Sequence, residues 1–196
     1  MLIRHAKEFA NLFRKHKYDR TENGILFPSA HIEIKGLYSV RTNDGPWEDS
    51  PNLLPTEGLN TLLNNLIANT GVPLYLSLYK DNIAPAAGWT GGTGTNYVST
   101  ANEITSGSEG YTQATRVLWN AAAASAATKD NYASVAVFTI ITGTTLDVWG
   151  VGLHKVSTKG DTTAFSLVSA TQFSAKRTFV NTDEFDVKYR LSMTSS

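Results

Sequence analysis

Between Tyr132 and Met193 the chain runs through four successive segments in which apolar residues alternate with others. This pattern narrows the possible folds more than any other in the sequence, because a period of two is the signature of a strand with one face against a core. The first segment, Tyr132 to Ile141, sets Ala133, Val135, Val137 and Ile141 against Phe138 and Ile140. Gly143-Thr144-Thr145 makes a tight connection into the second, Leu146 to Leu153, where Trp149, Val151 and Leu153 share one side and Leu146 and Val148 the other. With both faces apolar, these two segments are expected to form a central hairpin covered on each side. Gly150 and Gly152 thin one of those faces, which lets another backbone approach closely. Gly160-Asp161 turns the chain, and Phe165, Leu167 and Phe173 mark a third strand. In the fourth, Phe185, Val187, Tyr189, Leu191 and Met193 alternate with Asp186, Lys188, Arg190 and Ser192, giving one buried and one wet face.

Upstream, one segment reads as a strong helix, spanning about 56–69. Thr56 follows Pro55 and can cap it by accepting an orphan backbone N–H. Leu59, Leu62, Leu63, Leu66 and Ile67 recur at helical spacing, so this face is expected to lie on a sheet with Asn60, Asn64 and Asn65 outward. Gly71 supplies the stop. Ile25-Leu26-Phe27, His31 to Lys35 and Leu37 to Arg41 read as extended, with Gly36 as a bend and Asn43-Asp44-Gly45-Pro46 as a turn. Pro46 to Pro55 reads as irregular. Leu74 to Tyr79 alternates as a strand, and Tyr111 to Trp119 reads as another, with Tyr111, Val117 and Trp119 on one side. Between them, about 80–110, lies a polar loop long enough to be functional or ordered by a partner. Ala121 to Ala127 reads as a loop. These elements predict a mainly β fold: a two-sheet antiparallel sandwich, jelly-roll or immunoglobulin-like, with one inserted helix and an N-terminal arm. Residues 1–24 would form the basic arm or short helix, and 25–196 a single sandwich domain.

The arm stands out by charge. Residues 1–20 carry Arg4, Lys7, Arg14, Lys15, Lys17 and Arg20 against Glu8 and Asp19, a balance of +4, which leaves −4 on the rest of a chain of zero net charge. Leu2, Ala6, Phe9, Ala10 and Phe13 fall near one face at helical spacing, so 2–17 reads as an amphipathic helix lying on protein. A basic arm on a mildly acidic body suggests head-to-tail contact between copies or docking on an acidic neighbour. Nucleic acid is disfavoured, since the basic residues are few and no aromatic platform accompanies them. Charged residues make up 17% of the chain, below the usual quarter or so, a composition that suits surfaces packed on other protein. No stretch approaches the roughly 20 apolar residues of a membrane span. The first residues lack the separate apolar core of a signal peptide, so the protein is expected to be made and used without crossing a secretory membrane.

The chain holds no cysteine, which removes disulfides and thiolate chemistry. His5, His16, His31 and His154 show no metal-ligand spacing with one another or with carboxylates, and Asp44, Glu48 and Asp49 fall short of a calcium oxygen set. Gly88-Trp89-Thr90-Gly91-Gly92-Thr93-Gly94-Thr95 lacks the lysine and strand-to-helix setting of a phosphate loop. No nucleophile elbow occurs. The expectation is a protein without catalytic, cofactor or metal residues, and not an enzyme.

Several segments carry a family resemblance. Asn52-Leu53-Leu54-Pro55-Thr56-Glu57-Gly58-Leu59-Asn60-Thr61-Leu62-Leu63 is followed by Pro73-Leu74-Tyr75-Leu76-Ser77-Leu78-Tyr79-Lys80-Asp81-Asn82. Later come Gly110-Tyr111-Thr112-Gln113-Ala114-Thr115-Arg116, then Ala136-Val137-Phe138-Thr139 leading into Val148-Trp149-Gly150-Val151-Gly152-Leu153. In order and spacing, over roughly 20–193, the chain resembles structural proteins of tailed-bacteriophage virions. The resemblance implies a capsid decoration, or cement, protein, made in the bacterial host cytoplasm, that binds the capsid exterior and staples neighbouring subunits. Its partners would be the major capsid protein or other virion proteins, with homo-oligomer formation. A tail fibre, adaptor or collar component is the alternative, and a carbohydrate-binding virion module, using Trp47, Trp89 and Tyr97 as stacking rings, a further one. The residues expected to touch a partner are Arg4, Lys7, Phe9, Phe13, Arg14, Lys15, Trp89 and Tyr97.

Overall fold

The computed structural model describes residues 18–20, 22–24, 26–28, 32–68, 71–92, 96–164 and 166–195. The helix expected over 2–17 lies outside them. The chain divides into two compact units, Met1–Ile34 with Met193–Ser196, and Lys35–Ser192. The boundary expected near residue 24 therefore falls inside the first unit. In that unit β1 (Tyr18–Arg20) and β2 (Leu26–Pro28) pair antiparallel, Tyr18 against Pro28.

The second unit is the sandwich. One sheet has the order β11 (Leu167–Phe179), β10 (Leu146–His154), β5 (Tyr75–Tyr79), β7 (Val117–Leu118). The other runs β4 (Glu48–Pro51), β3 (Ile32–Thr42), β12 (Glu184–Ser195), β9 (Ala136–Ile141), β6 (Gly110–Tyr111), with β8 (Thr128–Asp130) also on β12. The architecture is the expected mainly β, two-sheet antiparallel sandwich. Strand alternation supplies both halves of its core. Tyr38, Val40, Phe138, Ile140, Phe185, Val187 and Tyr189 meet Leu76, Leu78, Val148, Val151, Leu153 and Phe179 between the sheets.

Two expected pairings differ. The segments 132–141 and 146–153 do not form a hairpin: β9 pairs with β12, and β10 with β11 and β5. The Gly143-Thr144-Thr145 connection instead carries the chain from one sheet to the other. Both faces of β10 are covered as expected: Val148, Val151 and Leu153 lie in the core between the sheets, and the Tyr79 and Tyr97 rings lie over Gly150 and Gly152 on the other face. Likewise 111–119 is not one strand, because β6 and β7 belong to different sheets. Short connections mark a reversal of the chain, and hairpin and arch look alike in pattern because both faces of the buried segments are apolar.

The sandwich is closed along one side by edge strands from opposite sheets. Ser50 Oγ and Thr171 Oγ1 share a hydrogen bond of 2.8 Å, Thr171 Oγ1 donates to Pro51 O at 2.8 Å, and Leu53 exchanges both backbone bonds with Ala170. Glu48 and Arg177 pair across the same seam. Nearby, the hydroxyl of Tyr38 on β3 meets Ser169 Oγ on β11 at 2.7 Å.

α1 (Thr56–Ala68) lies on β11, but Leu59 and Leu63, two of the residues expected to face the sheet, are not covered by it. Among its described side chains Glu57, Gly58 and Thr61 are buried and Leu62 is partly buried against the main core, while Leu59 and Leu63 are 42% and 54% exposed. The side chains of Leu66 and Ile67 lie outside the described residues. Gly58 decides the orientation. A Cβ there would stand 1.9 Å from Val168 O, so the helix backbone rests directly on the strand. Replacing Gly58 with Ala should push the helix off β11 and destabilise the fold by about 1–3 kcal/mol in urea titration. Gly71→Ala, where a Cβ meets nothing within 4 Å, is the control expected to stay close to the parent.

Candidate functional site

Two residues expected to meet a partner are inside. Trp89 is 2% exposed and Tyr97 fully buried. Alternation along β5 sends Leu76 and Leu78 into the main core and leaves Ser77 and Tyr79 on the other face of the sheet. There Tyr79, Trp89 and Tyr97 meet edge to face, with ring centroids 5.7–6.3 Å apart, over Ala101, Leu167 and Ala170. Tyr97 opens α2 (Tyr97–Thr100), capped by Asn96, whose side chain accepts from Ser99 N at 2.9 Å. Gly150 and Gly152 provide the room. A Cβ on Gly150 would stand 2.2 Å from Thr171 O and 2.3 Å from the Tyr79 ring, and one on Gly152 2.7 Å from the Tyr97 ring, so the thinned face admits both a neighbouring backbone, as expected, and rings. The described part of 80–110 is thus ordered by the protein's own second apolar cluster, which corrects the assignment of Trp89 and Tyr97 to a contact surface. Arg4, Lys7, Phe9, Phe13, Arg14 and Lys15 lie outside the described residues.

The glycine run has the same explanation. Gly91 N donates to Glu57 Oε1 at 2.9 Å, and Leu167 N donates to the same oxygen at 3.0 Å. A Cβ on Gly91 would sit 1.8 Å from Ser166 Oγ. The carboxylate of Glu57, in the first turn of α1, therefore gathers the glycine run and the start of β11, at the helix end where negative charge is favoured.

Beside this cluster is a buried ion pair that the sequence did not signal, because its members are 13 residues apart and do not share one element. Arg116 donates through Nε to Glu103 Oε1 at 2.8 Å and through Nη2 to Oε2 at 2.7 Å, and neither side chain has exposed surface. Arg116 Nη1 donates to Val156 O at 3.0 Å, Gly160 N to Glu103 Oε2 at 3.2 Å, and Lys159 Nζ to Tyr111 O at 3.0 Å. Burial draws the Lys159 ammonium below its usual pKa, opposed by Glu103.

A second polar knot joins β5, β10 and α2. Ser77 Oγ donates to the Tyr97 hydroxyl at 2.9 Å and meets His154 Nε2 at 2.8 Å. With the serine proton directed to Tyr97, His154 is the donor through Nε2–H, and its Nδ1 is a lone-pair acceptor. Nδ1 is buried with no hydrogen-bond partner. Burial, then the nearby Arg116, holds the imidazole well below its ordinary pKa. Burial first, with Glu103 adding, raises the Tyr97 phenol well above its own. The serine–histidine contact has the spacing of a nucleophile and base, but both residues are buried.

The outward side of the other sheet carries alternating cations and rings. Lys188 Nζ stands 3.7 Å from the Trp47 ring centre and 5.3 Å from that of Tyr132; Arg41 lies over Trp47 and Arg190 over Tyr132. Asp186 pairs with Arg41 at 2.7 Å and is buried, so the wet face of β12 is drier there than alternation implies. Trp47, offered as a sugar-stacking ring, already faces Arg41 and Lys188.

The described residues also line open hollows. One of about 240 Å³ is lined by Val72, Leu74, Leu118, Trp119 and Lys129, with Val72 and Leu118 exposed. Another of about 210 Å³ lies over Val40 and Phe173 beside the Glu48–Arg177 pair. Among the described residues no cluster of three or more His, Asp or Glu is placed to hold a metal ion, and no helix is long and apolar enough to cross a membrane. Compared with known proteins, the chain matches no family model and no curated protein. Glu103→Gln, which leaves the Arg116 charge unpaired, is expected to cost about 3–5 kcal/mol of unfolding free energy. The paired replacement Glu103→Leu with Arg116→Met should cost less than that single change in the same urea titration.

Proposed function

We propose that this protein is a structural component of a tailed-bacteriophage virion, a decoration protein that binds the outside of the capsid and staples neighbouring subunits. The observation that carries the reading is the orientation of α1. Its inner side is held by Glu57 and Gly58, and it presents Leu59 and Leu63, one turn apart, to the outside. Large apolar side chains spaced i and i+4 on a helix make a compact contact stripe. The resemblance supports the reading further, and its segments contribute α1, β5, β6, β9 and β10, the framework that holds this stripe in place. The opposite charges of the first twenty residues and the remainder suit contacts between copies or with an acidic neighbour. Many weak copies on one shell would sum through multivalency.

Purified protein incubated with shells lacking it should bind saturably and in fixed stoichiometry. Leu59→Ser with Leu63→Ser should weaken binding by about 2 kcal/mol, roughly thirtyfold per site, with little change in thermal stability because both residues are exposed. Absence of shell binding, with the protein found instead on isolated tails, overturns the decoration reading in favour of a tail component.

A further inference from the structure

The His154 knot has a property that its place in the packing does not require. The face of β10 bearing His154 is covered by an outer layer of Trp89 and α2, to which Glu103 is tied through its bond to Val98 O, whereas Val151 and Leu153 face the core between the sheets. We infer that His154 is an acid-sensitive latch: taking up a proton there releases the outer layer from the sheet while the two-sheet core stays folded.

The argument begins at Nδ1. The second proton of an imidazolium must sit on that atom, which is buried and faces no acceptor. A donor buried without a partner is costly, and a buried positive charge more so. The surroundings offer no compensation. From β5 come the hydroxyl of Ser77 and, in register with His154, Tyr75; from α2 comes the Tyr97 ring, with centroids 4.7 Å apart. From β11 comes apolar Leu167, and from β10 itself Gly152. The charged groups are Arg116, whose sign repels imidazolium, and Glu103, whose two oxygens are both engaged by Arg116. Opening the outer layer gives the ring water on that face, so protons favour the open form.

The sign follows from linkage. The closed form leaves His154 neutral where an exposed histidine, with its pKa near 6.5, would be charged. Closure is therefore complete above about pH 6.5 and weakens as pH falls below it, by up to tenfold in the opening constant per unit.

The test is hydrogen exchange on the full chain between about pH 7.5 and 5.5, expressed as protection factors so that intrinsic exchange chemistry cancels. The reporters are the amides of Tyr97, Ala101, Glu103 and Ile104, which donate to Thr90, Tyr97, Val98 and Leu78. Their protection should fall about tenfold over that range, while amides of β9 and β12 hold theirs. His154→Gln should remove the pH dependence at the reporter amides. In the unmodified chain, the His154 imidazole should stay neutral by nuclear magnetic resonance at a pH where exposed histidines have titrated. Titration of His154 near pH 6.5, equal losses in both sheets, or the same pH dependence in His154→Gln would overturn the inference.

Discussion

Arg116 and Glu103 meet in a space from which water is excluded, and the outer layer of this protein is arranged to make that possible. Removing two charges from water is costly, and their attraction offsets the cost only when geometry and additional hydrogen bonds are good. Here the guanidinium engages both carboxylate oxygens and also reaches Val156 O, while Gly160 N reaches the carboxylate. Those partners come from three separate places: the segment after α2, the approach to β7 and the connection between β10 and β11. The pair can be satisfied only when all three are in position. That requirement orders a stretch whose composition, rich in glycine, threonine and asparagine, has little to order it by itself.

The same layer explains why α1 turns Leu59 and Leu63 outward. A helix of this composition would gain most burial by placing Leu59, Leu62 and Leu63 on the sheet. Two local demands prevail instead. Glu57 holds the amides of Gly91 and Leu167, and Gly58 brings the helix axis close to β11 at Val168. With these met, Leu59 and Leu63 are turned away. The two apolar side chains left in water by this conflict between packing and polar satisfaction are the surface on which the proposed contact rests.

Much of the architecture was legible. Alternation from Tyr132 onward located four long strands, and the doubly apolar character of 146–153 marked β10 as a covered central strand. The helix over Thr56–Ala68 and the strand over Tyr75–Tyr79 were read from their periods. Partner choice was not legible. A strand buried on both faces has no sequence mark for which neighbour it joins, so β9 and β10 read as a hairpin although they belong to different sheets. Nor did pattern show that Trp89 and Tyr97 point inward, because a segment without periodicity has no face to assign.

Local sequence therefore determined where the chain extends, where it coils and which strands need cover, because backbone preference and side-chain alternation act over neighbouring residues. Only the tertiary structure decided which strands pair, which face of α1 is buried, and that Ser77, Tyr97 and His154 meet. Those outcomes rest on contacts between residues far apart in the chain, Glu57 with Leu167 and Tyr38 with Ser169 among them. Hydrogen bonding and close packing at such places depend on geometry that exists only once the sheets have assembled.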